Sequence, residues 1–106
     1  MARTLITVPS SAARGSVIEI RTLIAHPMET GHRADAEGRL VPRDILSRFS
    51  CRYNGELVFE AELHPAIAAN PYLVFTTLAT ESGTLSFTWE GDQGFAQTET
   101  VAIAVT

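Results

Sequence analysis

Four side chains carry most of the chemistry this 106-residue sequence could support: a single cysteine, Cys51, and three histidines, His26, His32 and His64. Imidazoles with a thiolate are a ligand set for zinc or iron. The spacing argues against such a site, because no two of the four form a close pair on one element and the histidines stand in polar loop context. Cys51 alternates with Phe49 and Tyr53 in "FSCRY", which points it into a core, where a free thiol behaves as a small hydrophobe and stays protonated. His-Pro occurs twice, at His26-Pro27 and His64-Pro65, each time at the end of an apolar run, and reads as a strand terminator. Nothing in the spacing assembles a Ser-His-Asp nucleophile. No cofactor, metal or catalytic residue is expected from these residues.

The elements that would position these side chains read as all-β. "TLITV" is a short first strand and "SVIEIRTLIA" a long second one, with Ile18, Ile20, Thr22 and Ile24 sharing the core face. "ILSRFSCRYNGELVFEAEL" is a hairpin: Asn54-Gly55 supplies the two positive-φ positions of a type I′ turn, and Leu57, Phe59, Ala61 and Leu63 alternate with glutamates on the return arm. "YLVFTTLA" is rich in aromatic and β-branched residues and reads as a strand covered on both faces. "TLSFTWE" puts Leu85, Phe87 and Trp89 on one face, and "FAQTETVAIAV" closes the chain with Val101, Ile103 and Val105 alternating. "HPAIAAN" is a single turn within a loop. About seven strands separated by turn signals give an antiparallel β-sandwich, immunoglobulin-like but without the Cys-to-Cys bridge of antibody domains. Residues 1–106 are expected to form one domain.

Composition excludes several function classes. Twelve acidic against eight basic residues give a formal net charge of −4, and the basic residues, all arginines, are dispersed, so neither nucleic acid nor an anionic membrane surface is an expected partner. No apolar run is long enough to span a bilayer. "MARTLITVPSSAARG" has no continuous apolar segment of a secretory type, which by itself suggests a cytoplasmic chain.

The long polar connection from His26 to Asp44 exceeds the usual loop length in a compact domain, which marks it as functional or disordered. Its middle, "RADAEGR", suits a solvated hairpin tip. The exposed apolar candidates outside the expected core concentrate in "HPM" and "HPAIAANPYL", so His26, Pro27, Met28, Ile67 and Tyr72 are the candidate partner-binding residues. Two alternatives stand beside contact: Met28 tucks under the sandwich edge, or Ile67 and Tyr72 close the open end of the core.

"TLIAHPMETGHR", "PRDILSRFSCRYNGE" and "LHPAIAANPYLVFTTLATESGTLSFTW" together resemble the SoxZ family, a subunit of the bacterial thiosulfate-oxidising Sox system, over nearly the whole chain. The resemblance implies a non-enzymatic sandwich that pairs with SoxY, which holds sulfur intermediates on a cysteine in a flexible Gly-rich C-terminal arm and presents them to the other Sox pathway enzymes. This chain ends "TVAIAVT", with neither Cys nor Gly, and so does not resemble the carrier itself. The resemblance also implies a periplasmic location, reached by export with a signal-bearing partner. The alternatives from other classes are an immunoglobulin-like metal or redox protein using the loop histidines, and a generic structural interaction module.

Overall fold

A computed structural model describes residues 2–106. Eight strands follow one another: β1 (Thr4–Thr7), β2 (Ser11–Ala12), β3 (Val17–Ile24), β4 (Leu46–Tyr53), β5 (Glu56–Glu62), β6 (Tyr72–Leu78), β7 (Gly83–Gly91) and β8 (Ala96–Val105). They form a three-stranded sheet in the order β1-β3-β6 and a five-stranded sheet in the order β2-β8-β7-β4-β5. This is the expected all-β, immunoglobulin-like sandwich, with one more strand than the sequence pattern suggested. The extra strand is β2, two residues inside "PSSAARG" that pair in parallel with the end of β8. It is too short to show any alternation.

The core is built from the inward positions of both sheets. Ile18, Ile20 and Ile24 of β3 and Phe75 of β6 face Leu46, Phe49, Cys51 and Tyr53 of β4, Leu85, Phe87 and Trp89 of β7 and Ile103 of β8, and all are buried. Phe49 sits in an aromatic cluster with ring centroids 5.2 Å from Trp89 and 5.9 Å from Phe75. Phe59 and Phe75 stack across the sheets at 4.2 Å. The β4–β5 turn forms as expected, with φ of 49° at Asn54 and 84° at Gly55. The Asn54 amide then reaches across to β7, where its Oδ1 accepts from the Thr84 N–H in space that a Cβ at Gly83 would fill. The Tyr53 hydroxyl accepts from the N–H groups of Thr80 and Glu81 and donates to the Glu81 carbonyl, tying β4 to the turn before β7.

Two readings of strand faces are corrected. Leu57 does not join the inward face of β5: Cys51 pairs with Phe59 but Arg52 pairs with Leu57, so the extra residue, Val58, forms a bulge that turns Leu57 outward beside Arg52. β6 is not covered on both faces. It is an edge strand whose Phe75 is buried while Tyr72, Val74 and Leu78 are about half exposed.

Candidate partner-binding surface

The loop that follows β3 is anchored by the side chains expected to lead it outward. His26 and Met28 are both buried, each 5% exposed, so of "HPM" only Pro27 faces solvent. The His26 Nδ1 accepts from the Met28 N–H at 3.0 Å, its Nε2 faces Asp44 Oδ1 at 3.6 Å, and its ring meets Phe95 edge-on. Met28 takes φ 51°, and its sulfur receives the N–H of Leu46 at 3.3 Å, where β4 begins with an irregular register against β7. Met28 therefore tucks under the sandwich edge, the alternative left open by pattern alone. A thioether is well suited to this place, being apolar, adaptable and a weak acceptor.

The rest of the loop folds back on itself. Glu29 and Asp44 exchange backbone hydrogen bonds of 2.8 Å, Ala34 bridges Leu40, and Asp35 closes the tip by accepting from the N–H groups of Glu37 and Arg39. "RADAEGR" is thus the solvated hairpin tip expected of it. At its base Asp92 accepts from the Ile45 N–H and from Arg43, and these bonds, the backbone one first, hold its carboxyl below the usual carboxylate range.

The second candidate segment is joined to the first. The Asn70 side chain accepts from the His26 N–H at 2.9 Å, and the Asn70 N–H donates to the His26 carbonyl at 2.8 Å. Ile67, in the single turn closed by its own N–H on the His64 carbonyl, is 38% exposed, and Tyr72, the first residue of β6, is 55% exposed. Neither closes the open end of the core.

Cys51 and the histidines lie apart in kind. Cys51 is fully buried, and burial pushes its thiol up to about 12. His32 and His64 are exposed. Among the described residues, no group of three or more His, Cys, Asp or Glu side chains gathers where it could hold a metal ion.

What sequence reasoning missed is the outer face of the three-stranded sheet. The pairing registers place Leu5, Leu23 and Tyr72 in one row, Thr7, Arg21 and Val74 in the next, then Glu19 with Thr76, then Val17 with Leu78. Leu5 is 63% exposed and Val17 67%. The signal was present, since Val17 and Leu23 fall off the core face of β3, but the apparent two-sided burial of β6 concealed that they have outward neighbours. One ion pair lies on the face along β3, Arg21 donating to Glu19 at 2.6 Å. A shallow cavity lined by Arg3, Thr4, Leu5, Leu23, Ala25 and Asn70 extends the face to the foot of the two loops.

Residues 6–102 match the model of the family described as sulphur oxidation protein SoxZ. The chain belongs to the SoxZ family. Among curated proteins none matches it. Among solved structures, the fold of this SoxZ-family chain is similar to that of the sulfur carrier protein SoxY from Chlorobium limicola f thiosulfatophilum, with a TM-score of 0.68 at 13% identity, covering 97% of this chain and 78% of that one. It is also similar to the superoxide reductase (neelaredoxin) from Ignicoccus hospitalis, with a TM-score of 0.75 at 15% identity over 99% of this chain and 82% of that one. A putative superoxide reductase from Thermotoga maritima gives 0.73 at 13% identity over 97% and 85%. At these identities the likeness is one of fold alone, shared by a carrier and by reductases, so function rests on the family and on the residues of this chain.

Proposed function

We propose that this chain is the non-catalytic subunit of a sulfur-carrier complex, pairing with a SoxY-like chain that carries the covalently bound sulfur intermediate during thiosulfate oxidation. The observation that carries this reading is the state of the only thiol in a chain of the SoxZ family. A carrier thiol has to be ionised to form the adduct and exposed to be offered to successive enzymes. Cys51 is neither: it is fully buried and burial raises its pKa to about 12. The sulfur then belongs on the partner, and this chain supplies the scaffold that holds the partner and that the other pathway enzymes meet. The working place of such a complex is the periplasm, reached by export together with a signal-bearing partner.

Co-expression with the SoxY subunit of the same organism tests this reading. The two chains should co-purify in equimolar amounts, and thiosulfate oxidation by the reconstituted pathway should require both. Failure of the chains to associate, or full activity without this chain, would refute it. The superoxide reductase likeness supplies the competing redox reading, and stoichiometric iron in the purified chain, lost on substitution of His26 and His64, would favour that one.

A further inference from the structure

We propose that the SoxY-like subunit seats on the outer face of the three-stranded sheet, packing sheet against sheet with Leu5, Leu23, Tyr72 and Val74 at the centre of the contact. This rests on the partnership proposed above and adds where and how the partner binds.

The outer face of this sheet departs from the usual pattern. An antiparallel sheet with one face on a core and one in water alternates apolar inside with polar outside. The five-stranded sheet does so. Its outward positions are Arg48, Ser50 and Arg52 on β4, Leu57, Glu60 and Glu62 on β5, Thr84 to Glu90 at alternate positions on β7, and only Thr and Ala on β8, so that Leu57 is its one large apolar side chain. Outward positions of the three-stranded sheet instead carry two leucines, two valines, a tyrosine and Leu78 around a single ion pair. A face of that composition is one whose outer layer is supplied by something else.

The open area is also large. Leu5, Val17, Tyr72, Val74 and Leu78 are between 49% and 67% exposed, which leaves on the order of 500 Å² of side-chain surface open, near the upper limit for a monomer's largest apolar patch. With Arg21, Glu19 and the threonines of the same face the surface approaches the roughly 800 Å² per partner of a standard stable interface. The Arg21–Glu19 pair is already formed at 2.6 Å, so docking does not strand a lone charge.

The occupant has a shape that suits the face. SoxY of Chlorobium limicola has the same sandwich architecture over 97% of this chain, so a carrier of that kind brings a twisted sheet of its own, and twisted sheets pack face to face when nearly aligned. The β6 edge beside this face is also unguarded. β6 is seven residues long with no charge and no proline, whereas the other long edge, β5, carries Glu56, Glu60 and Glu62, the kind of charge that deters pairing.

The test is the dissociation constant of the purified chain and the SoxY subunit of the same organism, measured by calorimetry for variants on the two outer faces. Tyr72→Glu and Val74→Glu should each weaken binding by about tenfold or more, as central interface positions do. Thr88→Glu and Thr100→Glu on the polar face should stay within about twofold of wild type, as rim or non-contact positions do. Hydroxyl-radical footprinting of the unsubstituted complex gives a readout that does not depend on variant folding: Leu5, Tyr72 and Leu78 should become protected and Leu57 should not. If wild type binds the subunit while both face variants bind equally well, or if protection falls on Leu57 instead, the proposed face is wrong and the partnership stands. If wild type binds no SoxY subunit, both fall. A homodimer of the isolated chain that Tyr72→Glu disrupts, with SoxY binding unaffected, would assign the face to a second copy and overturn the proposal.

Discussion

Along β7 and β8 the outward positions run Thr84, Ser86, Thr88, Glu90 and Ala96, Thr98, Thr100, Ala102, with Thr88 and Thr98 sharing a hydroxyl hydrogen bond of 2.9 Å. Along β3 and β6 they run Val17, Glu19, Arg21, Leu23 and Tyr72, Val74, Thr76, Leu78. The inward positions of both sheets are mostly apolar, with Thr4, Thr22, Thr77, Gln97 and Glu99 among the exceptions. The inward pattern is dictated by the need to fill one core, and both sheets obey it. The outward pattern is free of that need, and the two faces differ: polar on the five-stranded side, and largely apolar on the three-stranded side, where the proposed partner would supply a covering layer.

The largest effects should show that the two sheets do not differ inwardly. Phe75→Ala in the three-stranded sheet and Phe87→Ala in the five-stranded one should each destabilise the chain by about 3–5 kcal/mol in denaturant titrations, since both rings lie in one contiguous cluster. A loss below about 1 kcal/mol for Phe75→Ala would mean that the smaller sheet is only loosely attached, and its apolar outer face would then need no partner to explain it.

Next in size comes the root of the long loop, which competes with the sheet face as a contact surface. Met28→Ala should cost about 2–4 kcal/mol of stability, because a buried side chain that also receives the Leu46 N–H is removed. Pro27→Ala should stay within about 0.5 kcal/mol, as exposed substitutions do. A Met28→Ala variant of unchanged stability that no longer binds the partner would move the contact from the sheet to the loop.

Cys51→Ala should cost about 1–2 kcal/mol, the effect of removing one small buried group. It should also alter the alkaline limb of the stability profile. The folded thiol titrates at about 12 and the unfolded one near 8.5. Between those values the unfolded chain binds fewer protons than the native one, so wild-type stability falls as pH rises through that window. The alanine variant should lack that component of the fall, which urea titrations at pH 7 and pH 10 would reveal. Below the unfolded pKa the thiol adds no pH dependence.

The smallest effects are on the outer faces themselves. Val74→Thr on one and Thr88→Val on the other should each leave the stability of the isolated chain within about 0.5 kcal/mol of wild type. A large loss for Val74→Thr alone would mean that Val74 belongs to the core rather than to a docking face.

Much of the fold was legible because its elements obey a two-residue period. The inward sets Ile18-Ile20-Thr22-Ile24, Phe49-Cys51-Tyr53 and Leu85-Phe87-Trp89 are all buried as their alternation requires, and Asn54-Gly55 takes the backbone that those two residue types favour. Three things escaped. The bulge at Val58 shifts the face of Leu57 by one position, and a bulge leaves no mark in composition. β6 is apolar on both faces, which pattern equates with burial on both; only the strand order shows that it lies at an edge. His26 stands in a polar-looking segment, yet its burial depends on Asn70 and Phe95, residues far along the chain that periodicity cannot connect to it. Of the five candidate contact residues, Tyr72 lies on the apolar face, Pro27 and Ile67 stay exposed, and His26 and Met28 are the internal supports of the loop.

The central claim is that this chain holds a sulfur carrier and does not carry sulfur itself. Intact-mass and peptide mass spectrometry of both subunits, taken from the reconstituted pathway during thiosulfate turnover, tests it most directly. Sulfur-containing adducts are expected on the SoxY subunit, with Cys51 unmodified throughout. An adduct on Cys51 that appears with thiosulfate and disappears as product forms would contradict it.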